Sequence, residues 1–182
     1  MSEPEHQETM LSRQTVFEGR VIHVTLDEVR LENGKTATRE VVRHHGGACV
    51  AALTEEGALC FVRQFRYAYE KELLELPAGK LEKDEDPFAA AKRELEEECG
   101  LTADEYTSLG VLYPTVGYDS EKIYIWMARG LHKTGQHLDD DEFLDVHKVP
   151  FEKALAMVED NTIRDSKTIA GILRYALMRK GQ

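Results

Sequence analysis

Between Pro77 and Gly100 this 182-residue chain carries unusually dense structural punctuation. Pro77-Ala78-Gly79 ends a short apolar run, since proline has no amide to donate to a strand ladder and glycine turns freely. A charged segment follows as far as Asp86, with Pro87 next. Aspartate before a proline opens a helix well: the carboxylate caps free amides, and proline tolerates the first helical position. Gly100 suits the left-handed residue that closes one. The spacing predicts a helix from Pro87 to about Cys99. At about 100° per residue, Phe88, Ala91, Leu95 and Cys99 share one arc, and Glu94, Glu97 and Glu98 lie together on the adjacent arc. A fold that accepts this helix must bury the first arc and still accommodate three like charges beside it.

The flanking sequence predicts mostly strands. Residues 1–13, with Glu3, Pro4, Glu5 and Glu8, read as a mobile tail. In residues 14–45, Ile22, Val24 and Leu26 alternate with His23, Thr25 and Asp27, and Asn33-Gly34 predicts a hairpin whose two central residues both take positive φ. This is a small antiparallel N-terminal unit. Gly46-Gly47 marks a joint to a second domain, 46–182. There, strands are expected at 48–54, 58–66, 73–76, 107–112, 122–129 and 146–149, with helices at 151–158 and 166–179. Ile169, Ile172, Leu173, Ala176 and Leu177 form the expected inward stripe of the last helix. The sum is a mixed sheet with a helix on each side, an α/β sandwich.

Composition narrows the functional class. With 34 acidic and 23 basic residues the formal charge is -11, which opposes binding to a phosphate backbone. Residues 82–98 hold eight acids against three bases, and Asp139-Asp140-Asp141-Glu142 adds four more acids. The longest apolar run, 48–53, falls far short of the roughly 18 to 20 residues of a membrane span. Residues 1–13 also lack the basic-then-apolar order of a secretory signal, so neither segment is expected. Cys49, Cys60 and Cys99 form no CxxC pair and read as reduced core residues of a cytoplasmic protein. His44 and His45, as strand neighbours, point to opposite faces and do not suggest a metal site.

Glutamates at this spacing are compatible with a solvated helix face. That is the commoner use of such a pattern, but a hard divalent cation would also suit them, because Mg²⁺ takes carboxylate, water and phosphate oxygens. The wider string decides between these readings: Gly79, Glu85, Arg93, Glu94, Leu95, Glu97, Glu98, Gly100 and Leu101 stand in fixed order. At average residue frequencies such a coincidence has a probability on the order of one in a billion. The string resembles the Nudix box, the signature of hydrolases acting on nucleoside diphosphates linked to another moiety. The resemblance implies a Nudix-type α/β/α sandwich with Mg²⁺, or Mn²⁺ in its place, as cofactor. It makes Glu94, Glu98 and the Ala78 carbonyl metal ligands, Glu97 a ligand or water-orienting group, and Arg93 with Glu85 an ion pair bracing the helix. A glutamate from a late loop completes the site in such relatives; Glu142 is the candidate base here, with Asp140 and Asp141 as alternatives. Glu142, Glu97 and Arg93 are thus the candidate catalytic set.

The flanks resemble the ADP-ribose pyrophosphatase branch of that family. Arg39-Glu40-Val41-Val42, Gln64-Phe65-Arg66, Glu75-Leu76-Pro77-Ala78-Gly79-Lys80 and the proline at Pro114 carry this resemblance, which extends from about Phe17 to Lys167. It implies that Arg39 and Arg66 contact phosphate or terminal ribose and that Glu40 hydrogen-bonds the substrate. Forked guanidinium groups suit phosphate oxygens and stay charged at any working pH. The N-terminal strands would then form a homodimer and help bind a nucleotide sugar. The chain departs from many members at Tyr118-Asp119-Ser120-Glu121, which leaves GDP-mannose or another nucleotide sugar as an alternative substrate. A nucleotide-sensing domain without turnover is a second alternative, although such a domain usually loses one of the three glutamates, and all three are present.

Overall fold

A computed structural model of the chain describes residues 6–180 and divides it into two compact units. The first comprises residues up to His45 together with Thr115–Glu121; the second comprises Gly46–Pro114 and the chain from Lys122 onward. Residues 1–5 of the expected tail lie outside the described residues. Among the described residues no helix is long and apolar enough to cross a membrane.

The first unit is a three-stranded antiparallel sheet of β1 (Thr9–Glu18), β2 (His23–Arg30) and β3 (Thr36–Arg43), in that order. Thr9 to Arg13 therefore belong to a strand and not to a tail. β1 is exposed along its whole length, so it lacks the one-sided apolar alternation that reveals a strand in sequence. It is held by its ladder to β2 and by Arg13, which forks onto Asp27 at 2.8 and 2.6 Å. Asp27 is buried, also accepts from Arg43 at 2.8 Å, and is held down at about 2 chiefly by the Arg13 hydrogen bonds. The hairpin at Asn33-Gly34 is present, but only Gly34 takes positive φ. The turn runs from Leu31 to Gly34, with Asn33 Oδ1 accepting from the Lys35 amide at 3.0 Å. Thr115–Glu121, expected in the second domain, joins this unit through Val42 N to Tyr118 O, Ser120 N to Val42 O and His44 N to Ser120 Oγ.

The second unit contains two sheets. One is antiparallel, ordered β10 (Leu144–Pro150), β5 (Ala58–Arg66), β6 (Lys71–Glu75). The other is mixed, ordered β7 (Ala78–Lys80), β4 (Gly47–Ala52), β9 (Ile123–Lys133), β8 (Leu101–Leu112), with β4 and β9 parallel. The single mixed sheet expected from sequence is thus divided. An isolated bridge, Leu53 to Leu59, links the residue after β4 to β5.

Both faces of β4 and β5 are covered, which explains their continuous apolar runs. Cys49, Ala51, Leu59 and Phe61 pack with Phe151, Ala154, Ile172 and Tyr175 of α2 (Phe151–Glu159) and α3 (Ser166–Lys180). Ala48, Val50, Ala52 and Cys60 pack on the other face with Ala90, Ala91 and Leu95 of α1 (Pro87–Cys99). Small side chains on both partners let α1 approach the sheet closely. Phe88, on the expected core arc, sits at its margin against Tyr106 and Trp126, with ring centroids 5.3 and 4.8 Å away.

Three further differences have local causes. Residues 78–80, expected in a loop, form β7 by pairing with β4. β8 begins six residues before its expected start because β9 pairs with it from Leu101 onward, overriding the poor strand propensity of Asp104 and Glu105. The inward face of α3 carries Thr168, Gly171, Ile172 and Tyr175, whereas Leu173 and Leu177 are exposed. A Cβ at Gly171 would stand 2.7 Å from Leu76 Cδ1, so the helix rests on that leucine with this face inward.

Candidate metal and catalytic site

α1 starts and stops where its sequence signals say. Asp86 accepts from the amides of Phe88 and Ala89 at 3.1 and 3.0 Å, Pro87 occupies the first position, and Gly100 closes the helix at φ 62°. These fixed ends set the rotation of the helix. Leu95 faces the core, and the adjacent arc holds Glu94 and Glu98 buried against the backbone of 78–79.

Glu98 is 2% exposed and its Oε2 accepts from the Ala78 amide at 2.8 Å. Glu94 lies directly against Gly79, where an added Cβ would stand 2.0 Å from Glu94 Oε1. Only glycine leaves that carboxylate its place. Burial, reinforced by the charges of Glu97 and Glu142, pushes Glu94 up to about 7 despite the opposing pull of Arg93. Burial likewise pushes Glu98 up to about 8, with Glu94 and Glu142 adding repulsion and the Ala78 amide opposing it.

Arg93 holds the rim of this cluster. Its guanidinium forks onto Glu85 at 3.0 and 3.1 Å and reaches Glu94 at 2.8 Å and Glu97 at 2.7 Å through Nη1. Glu85 also accepts from the Glu82 amide at 2.9 Å, tying the preceding loop to the helix. The neighbouring carboxylates raise the Arg93 pKa further, so it remains charged. One guanidinium thus faces Glu85, Glu94 and Glu97, while Glu98 lies behind them with a backbone amide as partner. Among the described residues no three acidic, histidine or cysteine side chains stand ready as a coordination set. The donors nevertheless fit a hard divalent cation: they are all oxygens, Glu94 and Glu98 are buried, and their charge exceeds that of the cation beside them.

Glu142 belongs to the loop before β10, where its amide donates to Asp139 O at 3.0 Å. Its charge bears on both Glu94 and Glu98. Ala78, Arg93, Glu94, Glu97 and Glu98 are therefore gathered at one place, with Glu142 within electrostatic reach. Arg66 is committed elsewhere, forking onto Glu75 with both contacts at 2.7 Å, although the Arg66 side chain remains 39% exposed. Arg39 and Glu40 lie in β3 of the first unit, where Arg39 pairs with Glu8, its Nε donating at 2.9 Å.

A second buried charge group lies apart from α1. Lys167 Nζ contacts Glu75, already paired with Arg66, and Asp165 at 2.9 Å. Asp165 also accepts from the Thr168 amide at 3.0 Å and the Thr168 hydroxyl at 2.5 Å. Two sequence signals mark it. Glu75 interrupts the apolar run Leu73-Leu74-Glu75-Leu76, and Asp165 stands three residues before Thr168 in an N-cap relation.

The chain is similar to several known proteins. Residues 43–171 match the family model described as NUDIX domain, and residues 8–42 match the nucleoside diphosphate sugar hydrolase N-terminal domain. The chain is 40% identical over 168 residues to a protein of Bacillus subtilis (strain 168) named ADP-ribose pyrophosphatase, covering 91% of each chain. It is 39% identical over 180 residues to the methanol dehydrogenase activator of Bacillus methanolicus, covering 96% of this chain and 97% of that protein. A crystal structure of an ADP compounds hydrolase superposes with a TM-score of 0.85 at 25% identity, covering 100% of this chain and 98% of that one.

Proposed function

The chain belongs to the NUDIX domain family, and from that premise we propose that it is a Nudix hydrolase that cleaves the pyrophosphate bond of ADP-ribose with Mg²⁺, giving AMP and ribose 5-phosphate. The observation that carries this reading is the pair Glu94 and Glu98, two carboxylates buried together under Ala78 and Gly79 and driven toward their neutral forms. A buried anion persists only when paired or when it coordinates a metal. Glu94, Glu98 and the Ala78 carbonyl would hold Mg²⁺, with Glu97 as a further ligand or an orienting group for water. When bound, the metal supplies Lewis acidity, lowering the pKa of coordinated water and neutralising pyrophosphate oxygens. Mn²⁺, with the same preference for oxygen ligands, would serve in its place.

The protein's own groups have separable tasks. Arg93 and Glu85 keep α1 and its preceding loop in register, so Arg93 acts as a positioning residue. Glu142 accepts a proton from the attacking water. Arg66, partly exposed beside its glutamate, presents a guanidinium face to phosphate oxygens. Arg39 and Glu40 contact the substrate from β3, and the surface pair of Arg39 with Glu8 costs little to exchange for a phosphate. Two copies associate through the first unit, and the reducing cytoplasm keeps Cys49, Cys60 and Cys99 as thiols. A net charge of -11 disfavours nucleic acid as a partner.

The test is a substrate panel of ADP-ribose, GDP-mannose, NADH and diadenosine polyphosphates, each assayed with Mg²⁺ and with a chelator. ADP-ribose is expected to be hydrolysed fastest, and only with metal. Preference for GDP-mannose would move the specificity to that nucleotide sugar, and silence across the panel would favour a sensing domain.

A further inference from the structure

The loops around a buried carboxylate matter as much as the carboxylate, since a ligand displaced by a fraction of an ångström binds its cation less tightly. The backbone from Leu76 to Gly79 is such a support, because the Ala78 amide holds Glu98 and Gly79 lies against Glu94. What holds that backbone comes from the far end of the sequence. The Leu76 amide donates to Thr168 Oγ1 at 2.8 Å, a contact spanning 92 residues, and the same hydroxyl donates to Asp165 Oδ2 at 2.5 Å. Thr168 is wholly buried. On the strand side, Pro77 O accepts from the Val50 amide at 2.9 Å. Lys167, one residue before Thr168, pairs with Glu75, one residue before Leu76. The two chain segments are thus joined by adjacent contacts, one ionic and one a hydroxyl relay.

We propose that Thr168 is a positioning residue for the metal cluster: at the start of α3 it fixes the Leu76 amide and so sets the Ala78–Gly79 backbone against which Glu98 and Glu94 are aimed. The proposal rests on the reading of Glu94 and Glu98 as metal ligands. A threonine serves better here than a purely apolar residue, because its hydroxyl accepts from one backbone group and donates to Asp165 at once. Nothing in this role requires Thr168 to touch metal or substrate.

The experiment compares wild type with Thr168→Val, which keeps the shape but neither accepts nor donates, and with Thr168→Ser, which restores the hydroxyl. Mn²⁺ binding is measured calorimetrically on the full chain without nucleotide, thermal melting is measured in chelator, and ADP-ribose turnover is followed against Mg²⁺ concentration. Thr168→Val is expected to weaken Mn²⁺ binding by about 10- to 100-fold and to raise the Mg²⁺ concentration needed for half-maximal turnover to match. Thr168→Ser is expected to stay within about threefold of wild type, a rescue that the loss of one packing contact would not produce. If Thr168→Val fails to fold, Thr168→Ala, which removes the hydroxyl with less steric demand, is expected to show the same loss. Unchanged Mn²⁺ affinity in a folded variant of either kind overturns the positioning role while wild-type metal binding leaves the ligand reading intact. A wild type that binds no Mn²⁺ overturns both, and is distinguished by the wild-type titration alone.

Discussion

Glu75 and Glu98 are both 2% exposed and lie in the same unit, yet their acidities move in opposite directions. Desolvation acts on both, and it raises a carboxylate. At Glu75 the fork of Arg66 and the ammonium of Lys167 outweigh it, so its pKa is lowered. At Glu98 the close partner is a backbone amide, and the charges of Glu94 and Glu142 add to the desolvation. Arg66 and Lys167 balance Glu75 and Asp165, so that group is electrically complete. The α1 cluster is left short of positive charge. Burial alone therefore does not mark a functional acid; the distinguishing property is whether the surrounding protein already contains the counter-charge.

The largest expected effect distinguishes the two acids by activity. Glu98→Gln should reduce ADP-ribose hydrolysis by about three orders of magnitude, while the metal-free protein melts at the wild-type temperature or above it, because an uncompensated buried charge has been removed. Steady-state kinetics and a melt in chelator read both arms, and retained activity would sink the ligand assignment. Glu75→Gln should separate the pair by stability instead. It leaves Arg66 and Lys167 facing a neutral amide, and breaking a buried ion pair in this way costs about 3–5 kcal/mol, measurable by urea unfolding. Equal destabilisation by the two glutamine variants would erase the contrast.

Acidity gives a third, smaller difference. With chelator present, the folded pKa values of Glu98 and Glu94, about 8 and about 7, stand above the ordinary value of 4.5. The folded state then binds more protons than the unfolded one between these limits, so the stabilisation is complete below about 4.5 and is lost as pH rises through 7 and 8. The slope for one fully titrating group is about 1.4 kcal/mol per pH unit. Added Mg²⁺ should flatten it, since the cation favours the ionised forms, and Glu98→Gln should reduce it without metal. Melting curves from pH 5 to 8.5 decide the matter, and a flat metal-free profile would contradict the description of Glu98. The smallest effect concerns the platform beneath both. Asp86→Ala should destabilise the fold by about 1 kcal/mol through the lost cap, with activity nearly intact at low temperature; a large loss of metal affinity would mean that the cap helps aim the acids.

The legibility of the two groups differs for a physical reason. Glu94, Glu97, Glu98, Arg93 and Glu85 lie within one helix and the loop before it, where turn geometry and capping rules translate spacing directly into proximity. Glu75 and Leu76 meet Lys167 and Thr168 across 92 residues, and no local rule relates a strand end to the start of a distant helix. Arg66 shows the same boundary. Its sequence surroundings suggest a phosphate ligand, and the fold supplies the carboxylate on which it rests. The Thr9–Arg13 half of β1 is not legible because a strand exposed along its length has no apolar period, and the inward face of α3 is turned because Leu76 and Gly171 meet closely.

Local order in the chain thus specified the helix, its caps, the arc of acids and the α/β layering, since propensity, capping and hydrophobic period act over a few residues. Packing of remote segments settled which buried acids obtain a cation from the protein and which are left needing one, because electrostatic compensation depends on distance in space and not on separation along the chain.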